Sequence, residues 1–262
     1  MSEKRSIFEE VDIADASSKK VKNNVEIINS NKALQIWLLV LFILVAAMIV
    51  VGGLTRLTDS GLSITEWKPL TGALPPLSIE VWQLEFDKYK TIPEFSIQNK
   101  AMTLSEFKTI YWWEWGHRQL GRVVGIVWLF GFFWLALVRK LTNLWITRSF
   151  IIGGLGGLQG AIGWWMVSSG LSGRMVDVAS YRLAVHLGLA FLILTLITWY
   201  LFQTNINDQE KIRSRRERDK SLVPLVNVLL GIVFLQIIVG ALVAGIDAGR
   251  GYTDWPLSLI HI

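Results

Sequence analysis

Five stretches of this chain are long and apolar enough to cross a bilayer, which takes roughly 20 residues of helix. No other feature constrains the fold as strongly. They cover residues 34–54, 119–138, 150–171, 183–202 and 222–246. Inside lipid every backbone polar group must be satisfied within the chain, so runs of this length are helices. Three of the stretches carry no charge; Arg122 sits in the second and His186 in the fourth. A polar leader of 33 residues precedes the first, which is too long for a signal-peptide core and is read as a retained helix. At 52% hydrophobic and 18% charged residues the chain is far from a soluble domain, and its 13 Trp and 22 Gly suit membrane helices. It has no Cys, which excludes disulfides, thiolate metal sites and a Cys nucleophile.

The formal charge of +5 is explained by topology rather than by nucleic acid. Residues 1–33 hold six Lys/Arg, 139–149 three and 203–221 six, against two in 172–182 and one in 247–262. The positive-inside rule then places the N-terminus and the basic loops in the cytoplasm, and the long loop 55–118 outside. The RSRRERDK run at 213–220 has no interleaved aromatic residues and reads as a cytoplasmic retention signal.

The predicted organisation is a disordered cytoplasmic leader (1–33), a four-helix unit (34–203), a basic linker (204–221) and a further segment (222–262). In the outer loop, Ile79, Trp82, Phe86 and Tyr89 recur at helical spacing after Ser78, predicting a capped helix on the membrane surface. A second helix is predicted from near Ser105 into the second span. An internal repeat then appears: VGGLTRLTDSGLSITEWKPL, from Val51, matches VGALVAGIDAGRGYTDWPL, from Val239. Gly52, Asp59, Gly61 and Trp67 pair with Gly240, Asp247, Gly249 and Trp255 at a constant offset of 188 residues, and Pro69 pairs with Pro256 after one deletion. Apolar character alone does not match Asp, Gly, Trp and Pro outside a helix. The fold class is therefore all-α integral membrane: a complete N-terminal four-helix bundle plus the first helix of a second, pseudo-symmetric one. Since that second copy has barely begun, three more helices with two further histidines are expected after Leu257, and span five is expected to lack partner helices.

Chemistry gathers at the start of the second span, in YWWEWGHRQLGR. Alternating topology puts His117 at the outer end of span two and His186 just inside the outer end of span four, at similar depth on parallel helices. Two neutral imidazoles facing each other across a bundle suit a six-coordinate heme iron. Each histidine alone reads more readily as an imidazole reaching the interface, and the matched depth is what sets ligation on an equal footing. Glu114 precedes His117 by three residues and shares its face, as a general acid/base or as an ion-pair partner of Arg118. Arg118 and Arg122 form a ridge suited to anions, either tetrapyrrole carboxylates or lipid phosphates.

GGLTRLTDSGLSITEWKPLTGALPPL, EWGHRQLGR, LQGAIGWWMVSSGL and AVHLGLA together resemble the heme A synthase family over residues 34–257, and the Cys-free loops resemble its alphaproteobacterial and mitochondrial branch. The resemblance implies eight membrane helices in two halves, and oxidation of the C8 methyl of heme O to the formyl of heme A for cytochrome c oxidase. It implies heme O as substrate and heme b as cofactor, the latter in a C-terminal half absent here. His117 and His186 match the axial ligands of the substrate heme, and Glu114 the catalytic glutamate. Arg118, Arg122 and Arg56 are expected to reach the propionates. The implied partners are heme O, the farnesyltransferase that makes it, oxidase assembly factors and the lipid of a bacterial inner membrane, with no nucleic acid. His261, in the tail LSLIHI, matches no family position, and that tail resembles translated adaptor sequence. The chain alone is expected to be inactive. The competing reading is a bis-histidine membrane cytochrome with a purely electron-transfer role; a repeat-built transporter is a third.

Overall fold

The computed structural model describes residues 13–138, 140–173, 175–206 and 208–251, and every regular element among them is helical. Trp255, Pro256 and His261 lie outside the described residues. The helices are α1 (Ile13–Leu57), α2 (Ile79–Tyr89), α3 (Pro93–Ile97), α4 (Leu104–Leu137), α5 (Asn143–Val167), α6 (Ser180–Asn205), α7 (Asp208–Arg216), α8 (Leu222–Gly245) and α9 (Ala248–Gly251). Five are long and apolar enough to span a membrane: Lys32–Leu57 of α1, then α4, α5, α6 and α8. They match the five predicted spans, with α4 starting well ahead of its apolar run.

Residues 13–31, expected to be disordered, are helical and continue α1. The stretch holds neither Pro nor Gly. A helix nucleated in the apolar span can therefore propagate backwards at one hydrogen bond per residue.

α1, α4, α5 and α6 close a ring in which α1 touches α4 and α6, and α5 touches α4 and α6. One device recurs where neighbours cross. The Trp37 indole of α1 lies on Gly131 of α4 and donates to the carbonyl of Val127 at 3.0 Å. The Trp128 indole of α4 lies on Gly153 of α5 and donates to the carbonyl of Ser149 at 2.9 Å. In both cases the ring covers a glycine and its N–H reaches the carbonyl one turn back. Around these contacts Leu34, Leu38, Leu41, Phe132, Leu135, Ile152, Ile193 and Ile197 form the buried core of the end from which the basic loops leave.

The opposite end, here the loop end, is capped by residues 58–103. Thr103 and Glu106 form a reciprocal capping box that starts α4. α2 forms as predicted, with Ser78 capping Val81 N–H. Its apolar stripe is not spread on a membrane surface, however. Trp82, Phe86 and Tyr89 turn onto Phe107 and Tyr111 of α4, where Phe86 and Phe107 stack at 4.9 Å, because aromatic faces there offer a drier partner; Ile79 alone of the predicted stripe stays exposed.

Span five is not left without partners. α8 packs on α6: a β-carbon at Gly188 would come within 2.6 Å of Ile238, and one at Gly245 within 2.6 Å of Ser180. The glycines let the two backbones approach, which is how apolar helices associate in lipid. The repeat also shows in the backbone. Asp59 and Asp247, paired by the offset, are the non-glycine residues with positive φ, at 49° and 51°, among those described. Asp tolerates this left-handed conformation better than most side chains.

Gly131→Ala would put a methyl about where the Trp37 ring lies. It is expected to cost about 1–3 kcal/mol as overpacking, seen as a lower thermal midpoint in detergent, whereas Gly154→Ala, facing open space, should change little. A second expectation concerns Glu94 in the cap. It is 4% exposed, its Oε2 has no partner in the protein, and burial raises its pKa from 4.5 to about 8. A carboxyl that holds its proton more tightly in the fold stabilises less as it ionises, so stability should fall as pH rises from about 4.5 to about 8. Glu94→Gln should flatten that part of the curve of melting temperature against pH.

Candidate functional site

Glu114 is 2% exposed and accepts four hydrogen bonds. Its Oε2 takes Ser63 Oγ and Ile64 N, each at 2.7 Å. Its Oε1 takes Arg118 Nε at 3.0 Å and Nη2 at 2.6 Å. Arg118 continues to the carbonyls of Ile64 at 2.8 Å and Glu66 at 3.0 Å. One turn further along α4, Arg122 donates to the carbonyls of Lys68 and Pro69 and to Gln119 Oε1, while Gln119 donates to Ala73. The segment 63–73 is thus strapped down the side of α4 by a carboxylate and two guanidiniums. Its Trp67 ends edge-on against Trp164 of α5, at 5.3 Å between rings, with the Arg118 guanidinium 5.9 Å from the Trp164 ring.

Beneath this strap lie the two histidines. His117, on α4, rests against α1: a β-carbon at Gly52 would sit 3.2 Å from its Nε2. His186, on α6, rests against α5, where a β-carbon at Gly163 would sit 2.9 Å from its Cε1. Gly163 adjoins Trp164, whose ring faces the Arg118 guanidinium of α4, so His186 and His117 stand at the same end of the bundle. His186 Nδ1 is buried with no hydrogen-bond partner in the protein. Gln159 of α5 donates to the backbone carbonyl of His186 at 3.0 Å, leaving its own Oε1 buried and unpartnered. Two buried polar atoms without a protein partner, one of them an imidazole nitrogen, leave room here for a polar ligand to bind.

Glu114, His117, Arg118 and Arg122 thus share the strapped stretch of α4, and His186 stands at the same end of the bundle, against Gly163 next to the Trp164 that Arg118 faces. Arg56 does not join them as a cation for propionates. It is held by Asp59 at 3.4 Å, Asp177 at 3.1 Å and Asp247 at 2.8 Å, and donates to the Ala244 carbonyl at 3.0 Å. Three carboxylates converge on it, so a further anion would meet repulsion. In return, burial raises Asp177 to about 6 although Arg56 pulls the other way. Sequence reasoning missed Gln159, Gly52 and Gly163. Gln159 carried a usable signal, being an amide inside an apolar span, where polar side chains are costly. The glycines carried none, since close approach depends on which helix lies opposite. Among the described residues no group of three or more His, Cys, Asp or Glu could hold a metal ion.

Glu114→Ala would leave Arg118 without its anion and the Ser63–Ile64 turn without its acceptor. It is expected to cost about 3–5 kcal/mol, as for breaking a buried pair. Limited proteolysis should show faster cutting in residues 58–77, and Glu114→Gln should recover part of the loss.

Comparison with known proteins bears on this geometry. A family model described as Cytochrome oxidase assembly protein matches residues 35–260. The chain is similar to the Heme A synthase of Dinoroseobacter shibae, 59% identical over 261 residues, covering 98% of this chain and 68% of that protein. It is similar also to that of Cereibacter sphaeroides, 54% identical over 257 residues (97% and 65%), and to that of Paracoccus denitrificans, 58% identical over 224 residues (86% and 59%). The chain spans about two thirds of the length of such relatives. Their alignment with nearly all of it lends no support to the expectation that it is an inactive fragment. No solved structure matches. With membrane helices, repeat and strap all inside the matched region, this multi-pass membrane chain belongs to the cytochrome oxidase assembly protein family.

Proposed function

We propose that this chain works as a heme A synthase, an enzyme of heme A biosynthesis that takes heme O as substrate and oxidises its C8 methyl to a formyl group. The observation that carries the reading is that α4 and α6 each present a histidine seated on a glycine of a neighbouring helix at the loop end of the bundle. It occurs in a chain 59% identical to a heme A synthase. His117 and His186 would hold the iron of the substrate heme. The fit rests on donor chemistry and on the unpartnered His186 Nδ1 and Gln159 Oε1 beside it. Gly52 and Gly163 matter because any side chain there would push an imidazole away.

The residues around the pair have distinct tasks in this reading. Glu114 serves at its fixed place, holding Arg118 and the Ser63–Ile64 turn beside the histidines; it could act on the reacting methyl only by yielding one of its four bonds. Arg118 and Arg122 supply positive charge on the same side, suited to propionates. The strap and the aromatic cap keep bulk water from that end, so charges there are screened less. The heme b cofactor expected for the C-terminal half has no ligand pair in this chain, whose third histidine is His261. The N-terminus and basic loops face the cytoplasm of a bacterial inner membrane, the loop end faces outward, and the farnesyltransferase that forms heme O is the natural donor.

The test is direct. His117→Ala and His186→Ala should each weaken heme O binding by about 100-fold, the upper end of what outer-shell changes alone cost at metal sites. Absorbance titration of the purified protein reads the binding, and mass analysis of hemes from cells expressing the gene should show heme A lost. Unchanged titrations in both variants would remove the ligand assignment. Normal heme A with either variant would remove its role in the reaction.

A further inference from the structure

The seam between α4 and α5 closes at two levels and stands open between them. At the basic end it is shut by Trp128 on Gly153 and by the Phe132–Phe150 ring pair at 5.0 Å. At the loop end it is shut by Arg118 and Trp67 meeting Trp164. From Arg118 to Trp128 on α4, or from Gly153 to Trp164 on α5, is roughly 15 Å at the helical rise of 1.5 Å per residue. Helical spacing puts Gly125 on the same α4 stripe as Arg118, Trp128 and Phe132, and Gly157 and Gly160 on the α5 stripe of Gly153 and Trp164. A β-carbon on any of these three glycines would meet nothing within 4 Å among the described residues, and all three are exposed. These stripes should be packed tightly, since small residues in membrane helices usually bring backbones together. Here they hold a window open.

What lies at the window's loop-end margin gives it a purpose. The buried, unpartnered His186 Nδ1 and Gln159 Oε1 sit there, inside the bundle, with His117 across from them. Above, the strap blocks a route from the loop end: Glu114, Arg118 and Arg122 hold it by hydrogen bonds on six atoms of residues 63–69. A ligand centred on the histidines that carries a long apolar arm therefore finds one apolar, uncharged way out, sideways into lipid.

We propose that the α4–α5 window is the seat and lateral passage of the isoprenoid tail of the heme substrate. The proposal rests on the histidine-pair reading and adds the specificity element to it: the pair takes the ring, and the glycine window selects hemes with a tail. Purified protein in lipid nanodiscs is titrated with heme O and with protoheme, which lacks the tail. The wild-type chain should prefer heme O by about tenfold or more, a modest return for burying several methylenes. Gly125→Leu and Gly157→Leu should abolish the preference while leaving protoheme binding intact, and Gly154→Leu, about 100° round α5 from that stripe, should keep it.

A second measurement does not depend on the bulky variants folding. The chain has no Cys, so Gly160→Cys introduces a unique thiol. Its labelling by a lipid-soluble maleimide should slow several-fold with heme O and stay unchanged with protoheme, while Gly154→Cys should respond to neither. Equal heme preference in all variants, or equal labelling with both hemes, overturns the window but leaves the histidine site standing. Failure of either heme to bind the wild-type chain overturns both.

Discussion

A single buried carboxylate organises the loop end of this protein. Glu114 has no water to solvate it, and an isolated charge in such a place would be prohibitively costly. It is tolerated because a guanidinium, a hydroxyl and a backbone N–H all point at it. Each of those donors belongs to something that must be positioned. The hydroxyl and the N–H fix the turn leaving α1, and Arg118 carries the constraint on to Ile64 and Glu66. Without that anchor, residues 63–73 would be a loop with no reason to lie along α4. The strap, the Trp67–Trp164 contact and the cover over the histidines all follow from it.

The other end relies on different physics. There indoles are laid on glycines, and each N–H shares a helix carbonyl. Such contacts tolerate little change, because the ring leaves no room for a methyl group. Between a polar clamp at one end and aromatic locks at the other, the middle of the bundle is spared the demand for dense packing. The histidines stand near the boundary of the two regimes, each seated on a glycine of a neighbouring helix.

Much of this was legible in the sequence, for reasons that differ by element. Span length and charge distribution dictated five membrane helices, since lipid leaves the backbone no alternative. Ser78 and the Trp82, Phe86 and Tyr89 spacing gave α2, but not what it would pack on; periodicity names a face and is silent about its partner. The depth argument placed His117 and His186 near the same end of two helices, and each is seated on a glycine of a neighbouring helix, Gly52 and Gly163, that position along a helix does not reveal. Arg56 shows the limit. Its charge suggested a role toward an anionic ligand, yet the anions it meets are Asp177 and Asp247, distant in sequence by loop lengths that no pattern encodes. The helical course of residues 13–31 was missed because polarity was taken for lack of structure.

Arg56 reaches the carbonyl of Ala244, and Ala244 is the residue standing at Arg56's own place in the second copy of the repeat. The two copies of that turn therefore face one another. Had both kept arginine, two guanidiniums would compete for one spot and repel at close range. Alanine on one side resolves the conflict: a single cation serves both turns and collects both repeat aspartates. Duplication supplies matching halves, but a contact at the point where they meet can be stable only if the halves cease to be identical there.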